Sequence, residues 1–296
     1  MSRESQHPDP RQAEAKPPFP SQQQPAPGSD AKMDPPVDHG EESYKGNQRL
    51  TGKVAILSGS DSGIGRAVAI AFAREGADLV LSFLPEEEKD AKETVRWVEQ
   101  AGRRAITTPG DIRDAGYCKK LVEVADQEFG GMDIVVNNAA FQRTYEKITD
   151  VPAEEFATTF QTNVFGTFYL SQAALPKIRK GGSIINTCSI QSYEPSAELV
   201  AYAPTKAALV SLTKVLAKAA GKQGIRVNGV APGPVWTPLI PSTMPQEKVK
   251  SFGKNTVFER PAQPAELAPL YVFLASQDAT YVTGEIYGAT GGRTPY

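Results

Sequence analysis

Residues 53–77 read "KVAILSGSDSGIGRAVAIAFAREGA", and the order of textures in them decides the fold. "VAIL" is a short apolar run of the kind that makes a strand buried on both faces. "IGRAVAIAFAREGA" changes to helical periodicity and stops at Gly76. Between them lies "SGSDSGIG", with Gly59, Gly63 and Gly65 in G-x-x-x-G-x-G spacing. A glycine loop that follows a strand and opens a helix lets the backbone turn tightly. It also lets a diphosphate approach the helix N-terminus. The same spacing is compatible with a tight strand–helix turn that holds nothing, or with a loop that holds S-adenosylmethionine.

The alternation continues outward. "DLVLSF" reads as a second strand, residues 86–101 as a charged helix started by Pro85, and "RAITTPGD" as a third strand. Residues 114–129 read as a helix, "MDIVVNNAA" as a fourth strand, 153–178 as one long helix and "GSIINTCS" as a fifth strand. Residues 201–221 form a helix with Pro204 in its first turn, where the missing N–H costs nothing. "IRVNGVAPG" and "GEIYGATGG" close the series. Strands separated by helices of a dozen residues pair in parallel through right-handed crossovers. The expected fold is therefore α/β: one Rossmann-type doubly wound parallel sheet of about seven strands, with helices on both faces, spanning residues 47–296.

Residues 1–46 differ. Nine prolines, many Gln and Ser, and few large apolar side chains make them a disordered tail or an extended arm on the domain or on a neighbouring subunit. Phe19, Met33 and Tyr44 are its only anchors. Neither fold nor site draws on this segment by sequence, so truncation of residues 1–40 is expected to leave both intact.

Composition removes several function classes. A net charge of −2 favours neither nucleic acid nor an anionic membrane surface. No apolar run approaches the roughly 18 residues that span a bilayer, and no secretory leader is evident, so a cytoplasmic protein is expected. Two cysteines, Cys118 and Cys188, lack metal-ligand spacing, and no metal site is expected. The only histidines are His7 and His39, both in the N-terminal segment. Acid–base chemistry in the remainder must therefore use other groups.

Such groups are present. "NNAA", Asn137–Ala140, ends the fourth strand with small residues and two amides. Asn163 lies within a helix, and Ser189 ends the fifth strand. Tyr202 and Lys206 are four residues apart, on one face of the sixth helix. A free tyrosine has a pKa near 10. A lysine ammonium about 4 Å away contributes roughly 4 kcal/mol at an effective dielectric of 20, enough to lower the tyrosine by about three units.

Taken in this order, these residues resemble the short-chain dehydrogenase/reductase family over about residues 50–292. The resemblance includes the glycine loop, Asp111 after the third strand, "NNAA", Asn163, Ser189, the Tyr202–Lys206 pair and "PGPVWT" at 232–237. The arm and "SIQSYEPS" (189–196) resemble a stress-associated bacterial subgroup similar to glucose/ribitol dehydrogenase. Ser58 stands where Thr is usual, Ala140 where Gly is usual, and Thr290 where Asp is common. The resemblance implies hydride transfer between a nicotinamide cofactor and a small carbonyl or alcohol substrate: aldehyde, ketone, sugar or polyol. Tyr202 is then the proton donor and Ser189 the partner of the substrate carbonyl. Lys206 also binds the ribose hydroxyls, and Asn163 holds a water that relays protons. Gly59, Ser62, Gly63, Ile64, Gly65, Phe83, Asp111, Ile112, Asn138, Ala139, Pro232, Gly233, Val235 and Thr237 are the implied remaining cofactor contacts. A homotetramer built on helices 153–178 and 201–221 is implied too, with apolar surface at Thr159–Phe160, Phe165 and Leu212–Leu216. The alternative is a sensor or scaffold that binds NAD(P) without turnover, for which Tyr202 would have no use.

Phe83 occupies the strand-end place where NAD-preferring relatives carry an acid, and no Arg or Lys follows it. Both cofactors are expected to bind within roughly tenfold of each other, about 1.4 kcal/mol, with NADP favoured by the missing acid. Glu86–Glu88 read as a solvated first helical turn. Tyr193, Trp236 and Phe258 are candidates for the substrate pocket, and residues 237–260 for a lid.

Overall fold

The computed structural model describes residues 9–293; His7 lies outside the described residues. Seven strands form one parallel sheet: β1 Val54–Ser58, β2 Asp78–Phe83, β3 Ala105–Pro109, β4 Met132–Asn137, β5 Ile178–Thr187, β6 Arg226–Pro232 and β7 Ile286–Ala289. Their order is β3-β2-β1-β4-β5-β6-β7. Every adjacent pair is parallel, with Leu57 of β1 opposite Leu81 of β2 on one side and Val136 of β4 on the other. The order reverses between β1 and β4, and a crevice opens there at the carboxyl ends of the strands.

Alternate residues of each strand feed two cores. Leu57, Leu79 and Val136 face α1 (Gly63–Arg74), with Phe72 and Tyr271 in the same cluster. Ile56, Val80 and Val135 face the opposite side and pack with Leu121, Leu170 and Ala220. The latter come from α3 (Ala115–Phe129), α5 (Gly166–Ala174) and α6 (Tyr202–Gly221). Helices α2 (Glu88–Gln100) and α9 (Pro264–Ala275) complete the first face.

Two elements depart from the sequence reading. The helix expected over 153–178 is α4 (Ala153–Phe160), a π-helical turn (Gln161–Phe165), and α5, and strand β5 already begins at Ile178. The apolar periodicity runs through the π turn, so nothing in it marks the extra residue. Residues 237–260 are not wholly irregular either, since they carry two short helices, α7 (Leu239–Thr243) and α8 (Gln246–Lys250).

Residues 9–46 lie extended on the fold. Phe19 and Met33 bury themselves with Trp236, Ile240 and Val249. Phe19 stacks on Trp236 at 4.2 Å between ring centres. Tyr44 donates to the carboxylate of Glu75 at 2.6 Å, and Arg49 holds the same carboxylate. Few anchors suffice because proline-rich chain has little backbone freedom to lose.

Candidate active site

The carboxyl ends of β1, β4, β5 and β6 border one cavity of about 1150 Å³. That exceeds the roughly 300–1,000 Å³ of a site for one drug-sized ligand. Of the catalytic and cofactor-contact residues implied by the resemblance, all but Gly65 and Asn163 line it.

At its first end is the glycine loop. Gly63 has a positive φ of 49°. Gly65 acts by close approach: a Cβ there would lie 1.7 Å from the Gly59 carbonyl oxygen. Asn138 fastens this loop, its Nδ2 donating to Gly59 O at 2.8 Å, while Ser58 Oγ accepts from Asn138 N at 3.1 Å. Asn137 ties β4 sideways, donating to Asn186 Oδ1 at 2.8 Å and Ser171 Oγ at 3.1 Å. The "NNAA" amides thus hold backbone in place.

At the other end Ser189, Tyr202 and Lys206 converge. All three are buried. Ser189 and Tyr202 both line the cavity here, and the Ser189 side chain favours the ionised phenol, against the effect of burial. Lys206 Nζ donates to Thr187 O at 2.7 Å and sits 5.4 Å from the centre of the Tyr202 ring. Burial pushes the Tyr202 hydroxyl up to about 12 and the Lys206 amine down to about 8. The lowering of tyrosine expected from a neighbouring ammonium is therefore absent. Desolvation of both groups outweighs their mutual attraction, and Lys206 is directed at a carbonyl rather than at the phenol.

Asn163 stands behind this end, fully buried in the π turn. Its Oδ1 accepts from Phe141 N at 2.8 Å, and its Nδ2 donates to Phe141 O at 2.9 Å and Thr205 Oγ1 at 3.0 Å. It links the loop following "NNAA" to the first turn of α6, the turn that carries Tyr202. A π turn inserted in a helix frequently marks a functional site.

Several sequence readings fail here. Tyr193, Trp236 and Phe258 do not line the cavity; Phe141, Leu199, Leu239, Ile240, Met244 and Phe252 do. Trp236 is instead fully buried under the arm. Phe83 does end β2 at the cavity wall, yet acids are present beside it. Glu87 folds back to accept from Leu84 N at 2.9 Å, and it lines the cavity with Asp61 of the glycine loop. Asp61 is 3% exposed, and its Oδ2 has no partner among the described residues. Burial pushes Asp61 up to about 6, and burial with the Asp61 charge pushes Glu87 up to about 8. Asp111 lines the cavity beside Arg113, which it binds through Nε at 2.7 Å. The arm contributes as well: Ala26, Pro27 and Gly28 line the cavity. The expectation that the site draws nothing from residues 1–40 is thus overturned.

The residues fit a dinucleotide. A glycine-rich loop opens α1, and its orphaned buried carboxyl, Asp61, faces the cavity beside the end of β2. A ribose hydroxyl is the kind of donor that carboxyl lacks. Among the described residues no cluster of His, Cys, Asp or Glu can hold a metal ion, and no helix is long and apolar enough to cross a membrane.

Comparison with known proteins agrees with this geometry. A family model described as enoyl-(acyl carrier protein) reductase matches residues 59–294. General stress protein 39 of Bacillus subtilis is 45% identical over 266 residues, which cover 90% of this chain and 93% of that protein. Glucose and ribitol dehydrogenase of Daucus carota is 42% identical over 278 residues, 92% of this chain and 96% of that one. Among solved structures, L-sorbose reductase from Gluconobacter frateurii, complexed with NADPH and L-sorbose, superposes with a TM-score of 0.76. It is 34% identical and covers 84% of this chain and 99% of its own.

Proposed function

Since this chain belongs to the short-chain dehydrogenase/reductase family of NAD(P)-dependent oxidoreductases, we propose that it reduces a small carbonyl compound, an aldehyde, ketone or sugar, and oxidises the corresponding alcohol or polyol. The observation that carries this reading is the convergence of buried Ser189, Tyr202 and Lys206 on one wall of the cavity, with Lys206 Nζ anchored to Thr187 O. A bound nicotinamide cofactor supplies or accepts the hydride. Gly59, Ser62, Gly63 and Ile64 cradle its diphosphate. Phe83, Asp111, Ile112, Asn138 and Ala139 wall the adenosine side, and Pro232, Gly233, Val235 and Thr237 the nicotinamide side.

Ser189 Oγ donates to the substrate carbonyl and orients it against the Tyr202 hydroxyl. Tyr202 gives its proton to the oxygen as negative charge develops there. With its pKa raised by burial, the phenol stays protonated at neutral pH and suits the reductive direction. Lys206 holds the tyrosine end of the cavity electropositive when protonated, and binds ribose hydroxyls. Asn163 keeps the Phe141 backbone and the α6 turn in register, and positions a water for proton return. Leu239, Met244 and Phe252 offer the substrate a largely apolar cover.

NADP and NAD both serve in this reading, within about tenfold and with NADP favoured. Support comes from Glu87: with its carboxyl pushed up to about 8, the Asp61–Glu87 pair carries about one charge at neutral pH. The reading also includes a cytoplasmic homotetramer. Its support is two buried, unbridged cysteines and an exposed aromatic face on α4 and α5. That face is made by Phe156, Phe165 and Phe168, with Val215 on α6. Thr159 and Leu216, expected there from sequence, are buried instead. Light scattering of a stable monomer at micromolar concentration would refute the tetramer. A panel of aldehydes, ketones, sugars and polyols, followed by reduced-nicotinamide absorbance, tests the activity. Cofactor binding without turnover on any of them would favour the non-catalytic alternative.

A further inference from the structure

The arm reaches the glycine loop through a charged cluster. Asp30 Oδ2 accepts from Gly63 N at 3.1 Å and pairs with the Arg66 guanidinium at 3.2 Å. His39 Nε2 lies 3.0 Å from the same oxygen, in an angle poor for a hydrogen bond, and His39 Nδ1 meets Glu41 at 2.9 Å. Burial opposes the charged imidazole, but a carboxylate against each ring nitrogen raises its pKa above the ordinary histidine value. Asp90 approaches the same Arg66 guanidinium at 3.8 Å, so three carboxylates and two basic side chains join the arm to the loop.

The same stretch grips the lid. Gln24 N donates to Pro241 O at 3.0 Å. Gly28 lies so close to the lid that a Cβ there would sit 2.5 Å from Pro238 O. Thr237 in turn rests on the loop, its Cγ2 3.0 Å from where a Gly63 Cβ would be. Loop, lid and arm therefore form a closed ring around one end of the cavity. Farther along the arm, Trp236 Nε1 donates to Pro35 O at 2.9 Å, and Phe19 N to Lys250 O at 2.9 Å.

We propose that residues 24–30 of the arm are a clasp belonging to the cofactor-binding site, locking the glycine loop to lid residues 237–243 over the bound dinucleotide. The inference rests on the reading above, that the cavity takes NADP or NAD. Opening the lid must strain or release the clasp, because both are held by the same backbone bonds. Coupling between two binding events is reciprocal. Cofactor must therefore tighten the arm by the factor by which the arm tightens cofactor.

The test uses the full chain with NADPH and with NADH. Hydrogen exchange of residues 19–39 is expected to slow about tenfold or more on saturation with whichever cofactor binds, the range of a typical coupling energy. Gly28→Val is expected to weaken that binding by about tenfold and to erase the protection. Phe19→Ala, remote from the cavity, is expected to do so partially, and serves if Gly28→Val does not fold. Normal cofactor binding with unchanged arm exchange, and unchanged affinity in the variants, overturns the clasp and leaves the cofactor reading intact. Failure of both cofactors to bind overturns the cofactor reading, and the clasp with it.

Discussion

The two ends of the cavity are built in different ways. The Ser189–Tyr202–Lys206 end comes from one strand terminus and one helix face. Its key spacing, four residues along α6, is fixed by helix geometry alone. The glycine-loop end joins Asp61 to Glu87, and Asp30 to Gly63, across separations that only the finished fold closes. Each residue there has an innocuous local reading. The first end expresses chemistry in its residue types; the second expresses it in placement. The consequence is functional: loss at the first end should abolish turnover, whereas change at the second should tune affinity and choice.

The sharpest contrast uses Tyr202. Tyr202→Phe removes one proton and little volume, so kcat on a confirmed substrate should fall by about a thousandfold, within the range of general acid catalysis. Cofactor affinity should stay within about threefold, because the ring remains. Lys206→Ala should damage both, since its amine reaches Thr187 O and lies against the tyrosine. Stopped-flow turnover with parallel cofactor titration reads the split. Near-normal kcat in Tyr202→Phe would remove the distinction between the ends altogether.

How much could be read beforehand follows the same line. The parallel sheet of about seven strands came through because short apolar runs and helical periodicity alternate cleanly from Val54 to Ala289. Ser189, Tyr202 and Lys206 stood out as candidates because those residue types have chemistry to declare, and the fold brings all three to one cavity. The break of the long helix at Gln161–Phe165 did not, since a π turn needs no breaker residue. Glu87 was hidden within an acidic run that reads as a solvated helix start, and turns inward only because a tight turn precedes α2. Trp236 looked like a pocket residue because its cover, Phe19, is more than two hundred positions away in the chain. The arm's composition signalled disorder, and its few anchors carried no sign of the partners waiting for them.

The acid pair at the second end should show itself in stability against pH. Asp61 and Glu87 have folded-state values raised to about 6 and about 8 from ordinary carboxylate values. Between about pH 4 and 8 the folded protein therefore binds more protons than the unfolded chain, and stability falls as pH rises. Asp61→Asn removes one raised carboxyl and the charge that helps to raise Glu87. At 1.36 kcal/mol per unit, the gain at pH 8 is on the order of 2 kcal/mol. Glu41 and Glu75, lowered to about 2, titrate below this window and do not blur it. Urea denaturation of cofactor-free wild type and variant from pH 5 to 8.5 makes the comparison. Parallel curves would mean that Asp61 is solvated or paired in solution.

The smallest expected effect concerns which cofactor the second end prefers. A 2′-phosphate placed by the end of β2 would meet Asp61 and Glu87, while Arg113, which also lines the cavity, is already paired with Asp111 at 2.5 Å. Each carboxylate opposes the phosphate by about 1 kcal/mol at a half-wet site, and each accepts a ribose hydroxyl from NAD. The pair holds one proton near neutrality, so the opposition should deepen as that proton leaves. The ratio of NADP to NAD affinity should then fall by about tenfold, or 1.4 kcal/mol, between pH 6 and 8.5. Phosphate ionisation contributes in the same direction, because its second pKa is about 6. The acid-pair contribution is therefore the part that Glu87→Gln with Asp61→Asn abolishes. Isothermal titration of both oxidised cofactors into wild type and the double variant, at both pH values, separates the two. If the double variant keeps the full pH slope, the carboxyls do not read the ribose and the phosphate alone accounts for it. A flat slope in the variant, with NADP gaining about tenfold over wild type at pH 8.5, would place the choice of cofactor on two residues from separate elements that only folding brings to one wall.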